Sequence, residues 1–92
     1  MTDLDPEDLE IGRVVISKRG KDKGAFYVVV GKDESGNRVY VADGRSRKIA
    51  RPKKKNPKHL QLTNWFFSEL RECLEGVRKI DDEWIRQRLS SI

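Results

Sequence analysis

Apolar residues alternate with polar ones through three stretches of the first half of the chain, then switch to helical spacing in the last third. In IGRVVISKRG the alternation sets Val14 and Ile16 on one face of a strand and Val15 and Ser17 on the other. AFYVVVG continues it with Phe26, Val28 and Val30 on one face and Tyr27 and Val29 opposite, so that Tyr27 is expected to point away from the core. RVYVAD predicts a third strand, with Val39 and Val41 inward and Tyr40 outward. Turn chemistry separates these runs: Gly20 and Gly24 bracket the first turn, GKDESGN carries Gly36-Asn37 at the second, and Asp43-Gly44 makes the third. RSRKIAR then predicts a short basic fourth strand anchored by Ile49. PKKKNPK holds two prolines and is excluded as a central strand. HLQLT, with Leu60 and Leu62 alternating, predicts a fifth strand that closes the sheet.

Five short strands joined by tight turns within about fifty residues predict a small five-stranded antiparallel barrel, because closure removes exposed edges. The tail reads as helix. Phe66, Leu70, Leu74 and Val77 fall on one helical face, and Gly76 is the expected terminator. Asp81 is placed to cap a second helix, with Asp82 and Glu83 in its first turn and Arg86 and Arg88 near its end, as the macrodipole favours. Ile80 and Ile85 stand at staple positions, and Ile85, Leu89 and Ile92 form the apolar face. The expected class is therefore mainly β with a helical tail: an acidic, flexible leader over 1–9, a barrel over 10–63, and two short α-helices over 64–92.

Charge changes this picture from a bare fold to a candidate function. The net charge of +5 conceals a partition. Residues 1–10 carry five acids and no base, residues 69–92 carry five bases and six acids, and residues 11–68 carry fifteen bases and four acids, a net of +11. Such concentration favours a polyanionic partner, since solubility alone is served as well by mixed signs. The single cysteine, Cys73, forms no intramolecular disulfide, and its place near the first helical stripe suits core packing better than nucleophilic chemistry. The acidic amino terminus lacks the pattern of a secretory signal, and no apolar run suits a membrane span, so a cytoplasmic location is expected.

The first turn concentrates the candidate chemistry. Lys18, Arg19, Lys21 and Lys23 stand on a tip whose two glycines, Gly20 and Gly24, take left-handed torsions without steric cost. Such a tip is either an ordinary basic hairpin end or a site offering backbone N–H groups and cations to phosphates. The run from Val14 to Gly24, followed by Phe26 to Val30, resembles the KOW motif: an apolar strand, a glycine, a short loop ending in Lys-Gly, and a second apolar strand. With Ile11-Gly12-Arg13-Val14 before it, Asn37 to Gly44 after it and Leu60-Gln61-Leu62-Thr63-Asn64 at the end, the chain is similar over residues 9–64 to the fourteen-e family of archaeal and eukaryotic large-subunit ribosomal proteins. Tyr27 stands where many KOW sequences have glycine, which weakens the comparison with the transcription-elongation users of the motif and leaves the ribosomal one. The resemblance implies an SH3-like barrel that contacts RNA through the loop after the first strand, here Lys18, Arg19, Lys21 and Lys23.

A second basic run follows. Arg45, Arg47, Lys48, Arg51, Lys53, Lys54, Lys55 and Lys58 occur between residues 44 and 58 with no acid among them, and Pro52 and Pro57 stiffen the segment. This is either a solvated loop or a second set of phosphate contacts with a reduced ordering cost. Tyr27 and Tyr40, read as outward, either pack against neighbouring strands and helices or stack on an unpaired base. Trp65, Phe67 and Trp84 are expected to fix the helices to the barrel. His59, the only histidine, lies among lysines without a nucleophile in reach, and no metal-ligand spacing or cofactor motif is present, so no enzyme is expected. The sequence thus predicts an RNA-binding protein, with ribosomal RNA and a translation-related, ribosome-associated setting implied by the resemblance. The alternative is a protein-interaction module of transcription elongation or ribosome-associated machinery that uses the barrel and docks on a ribosomal or polymerase-associated protein through the helical tail.

Overall fold

The computed structural model describes residues 9–35, 37–76 and 78–92. Five strands form one antiparallel sheet: β1 (Arg13–Ser17), β2 (Phe26–Lys32), β3 (Val39–Ala42), β4 (Lys53–Lys55) and β5 (Leu60–Phe66), in the order β4-β3-β2-β1-β5. Two short helices follow, α1 (Glu69–Leu74) and α2 (Asp82–Ser90). The protein is mainly β with a helical tail. Residues 1–8, which hold most of the acidic leader, and Gly36 and Val77 lie outside the described residues.

The expected closure into a barrel does not occur. β4 and β5 are the two edges, and no ladder joins them among the described residues. The sheet is nevertheless strongly curled. In a flat sheet, three inter-strand steps would set β4 roughly 14 Å from β1. Yet the Lys55 ammonium on β4 lies 3.0 Å from the Ser17 hydroxyl on β1. A one-turn 3₁₀ segment, Pro57–His59, carries the chain from one edge to the other.

Curling gives the sheet two apolar surfaces. Val15, Tyr27, Val29, Val39, Val41 and Leu60 fill the concave side together with Leu9. Val14 and Val28 face the other way, onto Phe67, Leu70, Ile80 and Ile85 of the helical tail. The runs Val14-Val15 and Val28-Val29 are therefore buried on both faces, as central strands covered on each side must be. Tyr27 belongs to the core at 3% exposure, against the expectation that it points outward. It lies opposite Val15, and the curl turns that shared face inward. Leu9, assigned by sequence to the leader, is fully buried in the same cluster.

Three boundaries differ from expectation. The fourth strand is Lys53–Lys55, whereas RSRKIAR forms turns and bends. The Asp43 carboxylate accepts from the Arg45 and Arg47 backbone N–H groups at 2.8 and 2.9 Å, and the Asp82 carboxylate accepts from Ile49 N–H at 2.8 Å. Side chains thus hold the backbone groups that a strand would have paired. The lysine triplet, flanked by prolines, pairs on one side only, as an edge strand can. β5 runs on to Phe66, so Trp65 and Phe66 are strand residues, and α1 begins only at Glu69. Asp81 caps α2 as expected, its carboxylate accepting from Trp84 N–H at 2.9 Å. Ile80 and Ile85 close the staple within the outer cluster.

Candidate functional site

The loop between β1 and β2 is built around one acid. Asp22 turns inward beneath its cationic neighbours. One oxygen, Oδ1, accepts from Ser17 Oγ at 2.9 Å and Lys55 Nζ at 3.2 Å, and the other, Oδ2, accepts from Tyr27 OH at 2.7 Å and Lys53 Nζ at 3.1 Å. Burial by itself would raise the Asp22 pKa. The four hydrogen bonds, led by those from Tyr27 and Lys53, outweigh it and hold the carboxyl well below the usual carboxylate range. The Tyr27 phenol is pushed far up, first by burial and then by its hydrogen bond to the Asp22 charge. Gly20 and Gly24 bracket this loop at φ +88° and +91°, the left-handed torsions the turn requires. Ser17 and Gly24 close its base, with Gly24 N–H donating to the Ser17 carbonyl at 2.8 Å.

With the acid turned inward, Lys18, Arg19, Lys21 and Lys23 are all exposed. Lys18 N–H donates to the His59 carbonyl at 2.7 Å, tying the loop to the 3₁₀ turn beside it, where Lys58 is also exposed.

The second basic stretch divides into two parts. Arg45, Arg47, Lys48 and Arg51 are exposed on the segment between β3 and β4 and make no ion pair among the described residues. Ser46, Arg47, Lys48, Ala50 and Arg51 line an open depression there. The lysine triplet behaves otherwise. Lys53 and Lys55 project to the concave side and bond Asp22; Lys55 is only 7% exposed, so its ammonium is not free to take a phosphate as the sequence suggested, while Lys53 is half-buried. Lys54 projects to the other face, 3.7 Å from Asp33 and 5.8 Å from the Tyr40 ring centroid. Strand alternation separates what the run KKK placed together in sequence.

The two remaining cation groups share one end of the molecule. Lys53 and Lys55, following directly on Arg51 and Pro52, anchor to the first loop through Asp22. Arg47 and Asp43 both act electrostatically on the Tyr27 hydroxyl, which itself bonds Asp22. Arg45 lines a depression with Ala25 and Phe26, the residues that leave the first loop. α2 braces this end: Arg86 Nη1 donates to the Gly44 carbonyl at 2.9 Å, and Asp82 holds Ile49.

Sequence reasoning missed three contributors. Asp22, the only acid between Gly12 and Gly31, is in the sequence one of four acids set against fifteen bases, whereas in the structure it is the loop's internal anchor. Arg86 was read only as a dipole partner for its helix. Phe26 and Trp65, at 37% and 47% exposure, are in edge-to-face contact at the foot of the loop. With Tyr27 read as outward, alternation sets Phe26 toward the core; Phe26 is instead on the outer face, where the helices leave it partly uncovered. Compared with protein-family models and with curated proteins, the chain matches none.

Proposed function

We propose that this protein binds structured RNA through its sugar-phosphate backbone, using the cationic end formed by Lys18, Arg19, Lys21 and Lys23 together with Arg45, Arg47, Lys48 and Arg51. One observation carries the reading. These side chains come from two loops linked by the Asp22 bridge, all are exposed, and the acids within the loops, Asp22 and Asp43, are turned to internal hydrogen bonds. A surface that internalises its anions and presents its cations suits a polyanion, and the rigid bracing reduces the ordering cost on binding. The likeness of the glycine-flanked loop to the KOW motif points to the same ligand, with ribosomal RNA as the source it implies and translation as the setting.

The test is charge reversal in the first loop. Arg19→Glu, Lys21→Glu and Lys23→Glu together should weaken binding to a folded RNA by roughly tenfold or more. The thermal melt should hold, because none of the three side chains makes a hydrogen bond or ion pair among the described residues. Unchanged affinity would remove the loop from the site.

A further inference from the structure

The exposed pair Phe26 and Trp65 is the feature the backbone-binding reading leaves unused. Their ring centroids are 6.4 Å apart with planes inclined at 62°, so the two rings brace each other edge to face while both residues keep more than a third of their surface in solvent. Single exposed aromatics are common and need no explanation. This pair differs in its position. Phe26 opens β2 two residues after Gly24 and lines a depression with Asp43, Arg45, Arg86 and Leu89. The other tail aromatics are occupied: Phe67 is buried, and Trp84 packs on it at 5.8 Å with Arg88 over its ring.

We infer that Phe26 and Trp65 form a stacking platform for an unpaired nucleotide, whose flanking phosphates fall to Arg45 and to the cations of the β1–β2 loop. Every base presents a π face, so an open aromatic ring beside a cationic track is a sequence-tolerant seat for single-stranded nucleic acid. The surroundings select this occupant over an apolar protein segment. Phe26 shares its depression with Arg45 and Arg86, the one acid there, Asp43, is held by the Arg45 and Arg47 N–H groups, and Lys23 lies three residues from Phe26. The inference rests on the RNA-binding reading and narrows its ligand, from any folded RNA to one that carries an unpaired base next to its helical backbone.

The test uses the full chain and two probes, a single-stranded RNA of about 12 nucleotides and a blunt RNA duplex of the same length. Trp65→Leu and Phe26→Leu should each weaken single-strand binding by roughly tenfold and leave duplex affinity and the salt dependence of binding unchanged. Both positions are solvent-exposed, so the fold should persist, and a thermal melt checks it. Independently, Trp84→Phe leaves Trp65 as the sole tryptophan, whose emission the single strand should quench and the duplex should not. Equal losses on both probes, no loss on either, or intact single-strand binding without quenching would each overturn the platform. Loss of self-association in place of RNA binding would reassign the patch to contact between copies. Should neither probe bind the unaltered protein in dilute salt, the RNA-binding reading itself fails; binding of both probes with indifferent aromatic variants sinks the platform alone.

Discussion

Asp22 carries more of the molecule than any cation around it. Its carboxylate joins β1 through Ser17, β2 through Tyr27 and β4 through Lys53 and Lys55, so one side chain ties together strands that the ladder order sets far apart. Removing its charge leaves the nearly buried Lys55 ammonium without a counter-ion, and breaking such a pair costs about 3 kcal/mol or more. Asp22→Asn should therefore lower the melting temperature by roughly 10 °C or more, at about 4 °C or more per kcal/mol for a domain of this size. Lys55→Met should cost less, because Asp22 keeps Tyr27, Ser17 and Lys53 and no charge is stranded. The pH dependence has a fixed sign. The folded pKa of Asp22 is depressed, so between that value and the unfolded one near ~4 the unfolded chain binds more protons. The stabilisation is present above about pH 4 and is lost as pH falls through the folded value. Melts recorded across that window should decline for the unaltered protein, and the decline should be much reduced for Asp22→Asn; parallel declines would show that Asp22 is not the acid-sensitive group.

At the level of elements, the segment from Gly44 to Arg51 shows how a helix can organise a loop it does not belong to. α2 presents Asp82 to Ile49 and Arg86 to Gly44, and Gly44, at φ +78°, lies so close that a Cβ would run into the Asp82 carbonyl. Gly24 has a similar torsion at φ +91° but nothing within 4 Å of its missing Cβ. Gly24→Ala should thus cost roughly 1–2 kcal/mol, from the left-handed backbone alone. Gly44→Ala should cost clearly more, because α2 must shift as well; denaturant titration of the two variants measures the difference, and equal costs would mean that α2 does not hold the loop. The same segment marks how far the sequence could be read. Turn dipeptides and alternation located β1, β2 and β3, and Asp81 with the Ile80 and Ile85 staple located α2, because those signals act between near neighbours. RSRKIAR looks like a strand in the sequence because its competitors for backbone hydrogen bonds, Asp43 and Asp82, act through a turn and across more than thirty residues. Tyr27 was turned the wrong way for a related reason. Two adjacent apolar faces do not reveal which is concave until the curl of the sheet is known, and that curl shows only in long-range contacts such as the one between Lys55 and Ser17.

For the molecule as a whole, the arrangement separates charge by function. A sheet covered on both faces leaves its ionic groups the loops and edges, and in the two cationic loops Asp22 and Asp43 are turned to internal hydrogen bonds while the loop arginines and lysines stay exposed. Of the five acids in residues 1–10 only Glu10 is described, and it pairs with Arg71 on α1 at 3.0 Å, away from the cationic loops. The +11 of residues 11–68 already has Asp22 and Asp33 subtracted, so the pairs these acids make with Lys53, Lys54 and Lys55 take nothing further from it. If about six to eight of the exposed cations meet phosphates, the logarithm of the binding constant should fall against the logarithm of salt with a slope of roughly −4 to −7. The site assignment then distinguishes residues that composition treats alike. Reversal of Arg19, Lys21 and Lys23 should flatten the slope by about 2–3, one contact each, whereas Lys55→Met should lower stability and leave the slope where it was. Filter binding or anisotropy across a salt series reads both. A Lys55 variant that flattens the slope as much as a loop lysine would mean that the buried ammonium comes out to meet phosphate, and the division between anchoring and contacting cations would not survive it.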